Sequence, residues 1–326
     1  MRKNILLIGA GNIGSRHLQA LKKVRLPLNI KVVDPSKTNL KVAEERWQTT
    51  SKSKTIHQIE FLNTPPINNK NKIDLAIIAT SSDTRAEIIK NLIKNHKVKN
   101  LLLEKILFHK KEDYKTINQL LIKQKIKAWV NCPRRAMSWY QKLANQLHGQ
   151  PFFSHISLGS FGLISNTIHY LDYFSSITKD NNFLINTSGL NKKLINSKRL
   201  KFKELTGTIQ IIFNNKSSIT VTSHHKNNSP ILIYIYTSKN CFLINETTGQ
   251  HYFALASQNW KFKKTTSHLI KQSQLTNKIV EKILHSRSCE LTSFTKSVTI
   301  HLNFLEPILN YINHSCQKKY KYYPFT

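Results

Sequence analysis

Acidic residues are scarce in this 326-residue chain: 17 aspartates and glutamates stand against 50 lysines and arginines, a formal charge of +33 at pH 7. Such an imbalance suits anionic partners, whether nucleic acid, an anionic membrane surface or a phosphorylated small molecule. The lysines are nonetheless spread over every segment, inflated together with asparagine and isoleucine in stretches such as NNKNKID, and no nucleic-acid motif accompanies them. The charge therefore reads as compositional drift, without specific nucleic-acid binding, on a surface that still favours phosphate-bearing substrates. Long apolar runs are missing as well. None approaches the ~20 residues of a membrane helix, which argues against membrane insertion. The opening MRKNILLIGAG imitates a secretion signal only briefly, and no small-residue cleavage site follows, so a cytoplasmic protein is expected. Cysteine is equally sparse. Cys132, Cys241, Cys289 and Cys316 are widely separated, with no CxxC pair, and read as reduced thiols rather than a disulfide or zinc framework. His224, His225 and His251 have no carboxylate or cysteine partner at suitable spacing. The adjacent pair also falls on a predicted strand, where neighbours point to opposite faces, so no metal is expected.

What is present is a patterned globular chain. Apolar residues make up 40% of it, and its length predicts about two domains. As far as residue 130, short β-branched and leucine-rich runs alternate with amphipathic stretches. NILLI, IKVVD, LAIIAT, NLLLE and IKAWVN read as strands; IGSRHLQALKKV, TRAEIIKNLIKN and KEDYKTINQLLIKQ read as helices. Continuously apolar strands joined by crossover helices predict a parallel sheet covered on both faces. After about residue 150, TGTIQIIFNN, SSITVTSHH, PILIYIYTS and NCFLINE alternate apolar with polar residues, and NNKS and SKN mark tight turns. That pattern is an antiparallel meander with one wet face. A late helical stretch, ELTSFTKSVTIHLNFLEPILNYINH, packs back on the body. The expected fold class is α/β: an N-terminal Rossmann doubly wound parallel sheet over residues 1–128 and a C-terminal α+β domain with a mainly antiparallel sheet over 129–326.

The most specific signal is GAGNIGSRH, in which Gly9, Gly11 and Gly14 form G-x-G-x-x-G between a strand and a helix. The first glycine permits the tight turn, the second lets backbone touch a pyrophosphate, and the third allows helix and strand to pack closely. The amides that open the helix, Asn12 and Ile13 among them, supply an anion site together with the helix dipole. Asp34 ends the next strand, 20 residues beyond Gly14, where a carboxylate would accept bonds from ribose hydroxyls. The implied cofactor is NAD or NADP. Asp34 would repel a 2′-phosphate and so prefers NAD, while Lys37 nearby pulls the other way.

These motifs, with IIATSSDTRAEII, LLLEKIL, VNCPRRAMSWY and LISNTIHYLDYF, give the chain a resemblance to the Gfo/Idh/MocA oxidoreductases, strongest through residue 175. The resemblance implies a nicotinamide-dependent dehydrogenase or reductase of a sugar-like alcohol or ketone. Its second domain would carry a large open sheet whose face builds a homodimer or homotetramer. The family's Glu-Lys-Pro motif appears here as Glu104-Lys105-Ile106, which makes Lys105 the catalytic lysine and places Glu104 beside the cofactor. His169 takes the position of the family's proton-transferring histidine, with Asp172 three residues on to support it. Ser165 stands where the family commonly carries an aspartate, and Asn166 offers a polar substrate contact in its place. Thr80 and Ser81 would line the cofactor, and Arg85 occupies a position where histidine is frequent. Asn131, with Arg134 or Arg135, would face the substrate. The similarity is greatest to members of the surface-polysaccharide type, which implies a nucleotide-linked or acidic sugar. The departures at Ile106 and Ser165 also fit a dinucleotide-binding sensor or scaffold without turnover, against which the retention of Lys105 and His169 argues.

Overall fold

The computed structural model describes residues 1–51, 54–66, 72–225, 228–316 and 319–326. The chain divides into two compact units, Met1–Ala136 with Ile270–Val298, and Met137–Leu269 with Thr299–Thr326. The boundary expected between residues 128 and 129 falls inside the strand Lys127–Val130, which belongs to the sheet of the first unit. The helix Phe294–Ser315 is divided between the units after Val298.

The first unit is built on a seven-stranded sheet. From one edge its strands run Thr292–Ser293, Lys127–Val130, Asn100–Leu103, Leu75–Ile78, Lys3–Ile8, Leu28–Val33 and Gln58–Leu62. Six are parallel; Thr292–Ser293 alone pairs antiparallel, at the edge. Every residue of Leu75–Ile78 and Asn100–Leu103 is buried, as expected for strands covered on both faces. Counted along the chain, the parallel strands lie in the order 3-2-1-4-5-6, that of dinucleotide-binding folds. The order reverses between Lys3–Ile8 and Leu75–Ile78, and ligands of such sheets lie outside the carboxyl ends of the strands at that reversal. A segment from far along the chain completes the unit. The helix Gln272–Ser286 packs against the helix Asn12–Leu21 and buries Leu275, Ile279, Val280 and Ile283, one apolar stripe in an otherwise polar stretch.

The second unit carries an eight-stranded sheet in the order Phe183–Asn186, Gly207–Phe213, Ser218–Ser223, Phe153–Ser157, Leu232–Tyr236, Asn240–Asn245, Gln250–Leu255, Lys263–Thr266. It is antiparallel apart from the central pair Ser218–Ser223 and Phe153–Ser157. Alternation is clean where the sequence predicts it: Ile209, Ile211 and Phe213 are buried, as are Ile233 and Ile235, while Leu232, Tyr234 and Tyr236 are exposed. The helix Leu163–Thr178 packs against Ser218–Ser223, burying Tyr170, Tyr173 and Phe174.

Candidate functional site

The glycine turn sits at the reversal of strand order, and its three glycines meet three different surroundings. Gly9 adopts φ +94°, and a Cβ there would lie 2.9 Å from the backbone carbonyl of Ala79. A Cβ on Gly14 would overlap the carbonyl oxygen of Gly9, so helix and turn close on each other only without a side chain. Around Gly11 nothing lies within 4 Å of an added Cβ. Its φ of −61° is open to any residue, so the bare backbone here faces a space and not a neighbour. The helix Asn12–Leu21 starts at this point, and the first amides of a helix have no partner within it. Across the turn, the hydroxyl oxygen of Thr80 is buried with no hydrogen-bond partner among the described residues. A turn open at Gly11, helix amides aimed outward and an unsatisfied hydroxyl fit a dinucleotide, whose pyrophosphate would take the amides.

Asp34 is 6% exposed and its carboxylate is already held by the protein. Oδ2 accepts the amide of Ala10 at 2.7 Å and Oδ1 the amide of Ser36 at 2.9 Å, with the Asn39 side-chain amide 3.2 and 3.3 Å from the two oxygens. It thereby braces the glycine turn from the neighbouring strand end. Ser81 precedes the helix Ser82–Asn95 and donates its hydroxyl to Asp83.

Glu104 and Lys105 follow the strand Asn100–Leu103. Glu104 is 7% exposed and lies in a buried polar network. His17 Nε2 is 2.9 Å from its Oε1, and the Asn131 side-chain amide donates to the same oxygen at 2.5 Å. His17 Nδ1 meets the Thr276 hydroxyl at 2.8 Å, and Asn131 Nδ2 also donates to Gln272 Oε1 at 3.0 Å. Burial opposes ionisation of Glu104. The hydrogen bond and charge of His17, the Asn131 amide and the charge of Lys105 outweigh it and hold the carboxyl below its ordinary range. Lys105 is half-buried, and the Lys105–Ile106 peptide is cis. Asn131, expected at the substrate, is 2% exposed; its amide donates to Glu104 and Gln272, while its Oδ1 has no hydrogen-bond partner among the described residues. Arg134 and Arg135 lie half-buried in the short helix Pro133–Ala136, and Arg135 donates to the Thr292 hydroxyl.

Sequence reasoning missed His17 and gave Arg85 no role. Arg85 is fully buried, and its guanidinium donates to the carbonyls of Ile106, Leu107 (2.7 Å) and Thr80. It ties the loop bearing Lys105 to the loop bearing Thr80. The available signal was its place on the buried face of its helix, in register with Ser82, Ala86 and Ile89.

In the second unit, Ser165, Asn166, His169 and Asp172 all lie on the helix Leu163–Thr178, the first three half-buried and Asp172 1% exposed. The helix opens on a carboxylate that the sequence did not announce: Glu204, 3% exposed, accepts the amides of Ile164 at 2.9 Å and Ser165 at 3.0 Å. A negative charge there complements the helix dipole. Gly162 makes room for it, since a Cβ at that position would overlap the Glu204 carboxylate. His224 and His225 lie just past the end of Ser218–Ser223 rather than on it, so strand alternation does not separate them. Among the described residues no group of three or more histidines, cysteines or carboxylates could hold a metal, and no helix is long and apolar enough to cross a membrane.

Residues 3–132 match the family described as GFO_IDH_MocA, an oxidoreductase family with an NAD-binding Rossmann fold. No curated protein matches the chain by sequence. Among solved structures, the fold is shared with an oxidoreductase from Agrobacterium radiobacter in complex with NAD+, L-tartaric acid and magnesium, at TM-score 0.73 and 15% identity over 93% of this chain and 94% of that one. Levoglucosan dehydrogenase in complex with NADH is similar at TM-score 0.71 and 15% identity over 100% of both chains. UDP-N-acetylglucosamine 3-dehydrogenase from Acidithiobacillus ferrooxidans follows at TM-score 0.69 and 12% identity over 97% of this chain and 98% of that one. The glycine turn at the strand-order reversal lies within the stretch that matches: residues 3–132 are similar to the NAD-binding Rossmann fold of the GFO_IDH_MocA family, in a chain whose fold is shared with these solved structures.

Proposed function

We propose that the protein transfers hydride between NAD and a sugar-like alcohol or ketone, with a nucleotide-linked or acidic sugar of surface-polysaccharide synthesis as the substrate. The observation that carries the reading is the open backbone at Gly11, followed along the same sheet by Lys105 at a strand end. The names of two structural neighbours, a levoglucosan dehydrogenase and a UDP-N-acetylglucosamine dehydrogenase, support a sugar. NAD, when bound, supplies the hydride acceptor or donor. Gly9, Gly11, Gly14 and the amides of Asn12 and Ile13 would hold its pyrophosphate, and Thr80 would contact it with the hydroxyl that finds no partner among the described residues. Asp34 favours NAD over NADP by disfavouring a further phosphate. The Lys105 ammonium holds the reacting substrate oxygen and stabilises negative charge developing on it. His169 removes the hydroxyl proton during oxidation and returns one during reduction, a task suited to imidazole. Asp172, one turn further along the helix, orients that ring, and Ser165 and Asn166 contact substrate hydroxyls.

A homodimer or homotetramer through the open sheet belongs to the same reading. Leu232, Tyr234 and Tyr236 point outward from one strand, with Phe153 opposite Tyr236 and Leu243 opposite Tyr234 in the flanking strands. Such an apolar face suits a second copy of the chain. The test of the activity is turnover followed at the reduced-nicotinamide absorbance band with a panel of nucleotide sugars and sugar acids. Lys105→Ala and His169→Ala should each lower kcat by at least ~100-fold while leaving NADH affinity within about threefold. Tight NADH binding without turnover of any substrate, or full activity in Lys105→Ala, would overturn it.

A further inference from the structure

A second pocket lies wholly within the second unit, beside the first turn of the helix Leu163–Thr178. Its volume is about 350 Å³, at the lower end of the range for small-molecule sites. Ser165 and Asn166 form one wall. The facing walls carry four basic side chains from two separate stretches: Lys198 and Arg199 from the turn after the strand Ile195–Asn196, and His224 and His225 from the end of Ser218–Ser223. All four are exposed at the pocket.

We propose that this pocket is the phosphate subsite of the substrate, in which Lys198 and Arg199, assisted by His224 and His225, bind the phosphate or diphosphate group that a sugar carries. The assignment rests on the reading that Ser165, Asn166 and His169 meet the sugar, and it adds four residues to that site. Both basic stretches are braced. The Ser197 hydroxyl donates to the Arg199 carbonyl at 2.9 Å and accepts the Arg199 amide at 3.0 Å, and the Ser197 amide donates to the Phe202 carbonyl at 3.0 Å. On the other wall, the Ser223 hydroxyl donates to the carbonyls of Phe161 at 2.6 Å and Gly159 at 3.1 Å, while the His224 amide donates to the latter at 2.8 Å. Lys198 Nζ lies 5.0 Å from the centre of the Phe161 ring, a cation–π contact that steadies the ammonium at the mouth.

The pocket's buried carboxylate, Glu204, accepts two amides at the helix N-terminus, where the positive end of the dipole offsets part of its charge. The Lys198 ammonium and the Arg199 guanidinium, the latter also donating to the Thr326 hydroxyl at 3.3 Å, come from one stretch and the two imidazoles from the other. Together they match a group with several anionic oxygens, and arginine takes phosphate in bidentate fashion. A lone carboxylate would leave most of that donor set, and most of the volume, unused.

The test uses the full chain saturated with NADH, so that the glycine turn is filled, and titrates inorganic pyrophosphate by calorimetry at about physiological salt. Wild type is expected to bind, and Lys198→Ala/Arg199→Ala to bind at least tenfold more weakly. His224→Ala/His225→Ala should show a smaller loss. Lys263→Ala/Lys264→Ala, which removes two exposed lysines from the edge strand of the sheet, should bind as wild type does. Absence of binding to wild type, undiminished binding in Lys198→Ala/Arg199→Ala, or an equal loss in the Lys263→Ala/Lys264→Ala control each overturns the proposal, the last because bulk charge then explains the binding. Parallel titrations with UDP and glucose 1-phosphate show whether the phosphate belongs to a nucleotide or to the sugar itself, and a Lys198/Arg199-dependent loss with neither again overturns it. NADH titration of the same variants separates the two readings: a chain that does not bind NADH refutes the oxidoreductase assignment, whereas unchanged NADH affinity with lost pyrophosphate binding is the signature of this subsite.

Discussion

Replacing Gly11 by alanine isolates ligand approach from folding. The residue caps the helix Asn12–Leu21 with φ −61° and ψ −165°, angles that alanine adopts, and nothing stands within 4 Å of the new methyl. Alanine is a poorer cap than glycine, at a cost of up to about 1 kcal/mol. Removing a glycine stiffens the unfolded chain and returns about 0.4–1 kcal/mol. The two nearly cancel, and the midpoint of urea unfolding should move little. The bound pyrophosphate, however, would press on that methyl. Relief of an overpacked contact costs about 1–3 kcal/mol, and at 1.4 kcal/mol per decade NADH should bind roughly 5- to 140-fold more weakly. Gly14→Ala supplies the contrast. Its methyl overlaps the Gly9 carbonyl, so the same 1–3 kcal/mol or more should appear in folding itself. Fluorescence titration of NADH and urea denaturation of both variants complete the experiment. Wild-type NADH affinity in Gly11→Ala would show that no dinucleotide lies on this turn.

Arg85→Met keeps the length of the side chain but strips the donors from the Ile106, Leu107 and Thr80 carbonyls. Each that finds no water costs about 1–3 kcal/mol, read as a lower urea midpoint. Glu104→Gln removes a carboxylate that His17 and Asn131 hold in its charged form, so the variant should lose about 1.5–3 kcal/mol at neutral pH. Because the folded carboxyl is held below its ordinary value, that contribution is complete above about pH 4.3 and fades as pH falls through the lower folded value. Wild type and variant should therefore converge in acid denaturation, and a constant gap down to pH 2 would refute the assignment. In Gly162→Ala, where φ of −54° imposes no backbone strain, the methyl drives against Glu204, and a loss of about 1–3 kcal/mol in unfolding free energy is expected.

Much of the first unit was legible because its signals are local. Leu75–Ile78 and Asn100–Leu103 are short apolar runs bounded by polar punctuation, and the glycine spacing fixes strand, turn and helix within nine residues. The alternation in Gly207–Phe213 and Leu232–Tyr236 likewise showed which side chains face the core. The segment that closes the first unit was invisible for the opposite reason. The helix Gln272–Ser286 comes from far beyond the Rossmann strands, and its apolar stripe is diluted by polar and basic neighbours. The hydrogen bond of Asn131 to Gln272 was out of view for the same reason, since the two residues are 141 positions apart.

The amino-acid order alone determined the dinucleotide turn, the alternation of strand and crossover helix, and the two textures of sheet, because each follows from backbone freedom or from a side-chain period of a few residues. Only the tertiary structure decided that His17 and Asn131 converge on Glu104, that Arg85 ties two loops together and that Glu204 caps the helix bearing His169. Apart from Arg85 to Thr80, five positions apart, those contacts join residues 21 to 87 positions apart, and each exists because a polar group removed from water must find its partner wherever packing brings one.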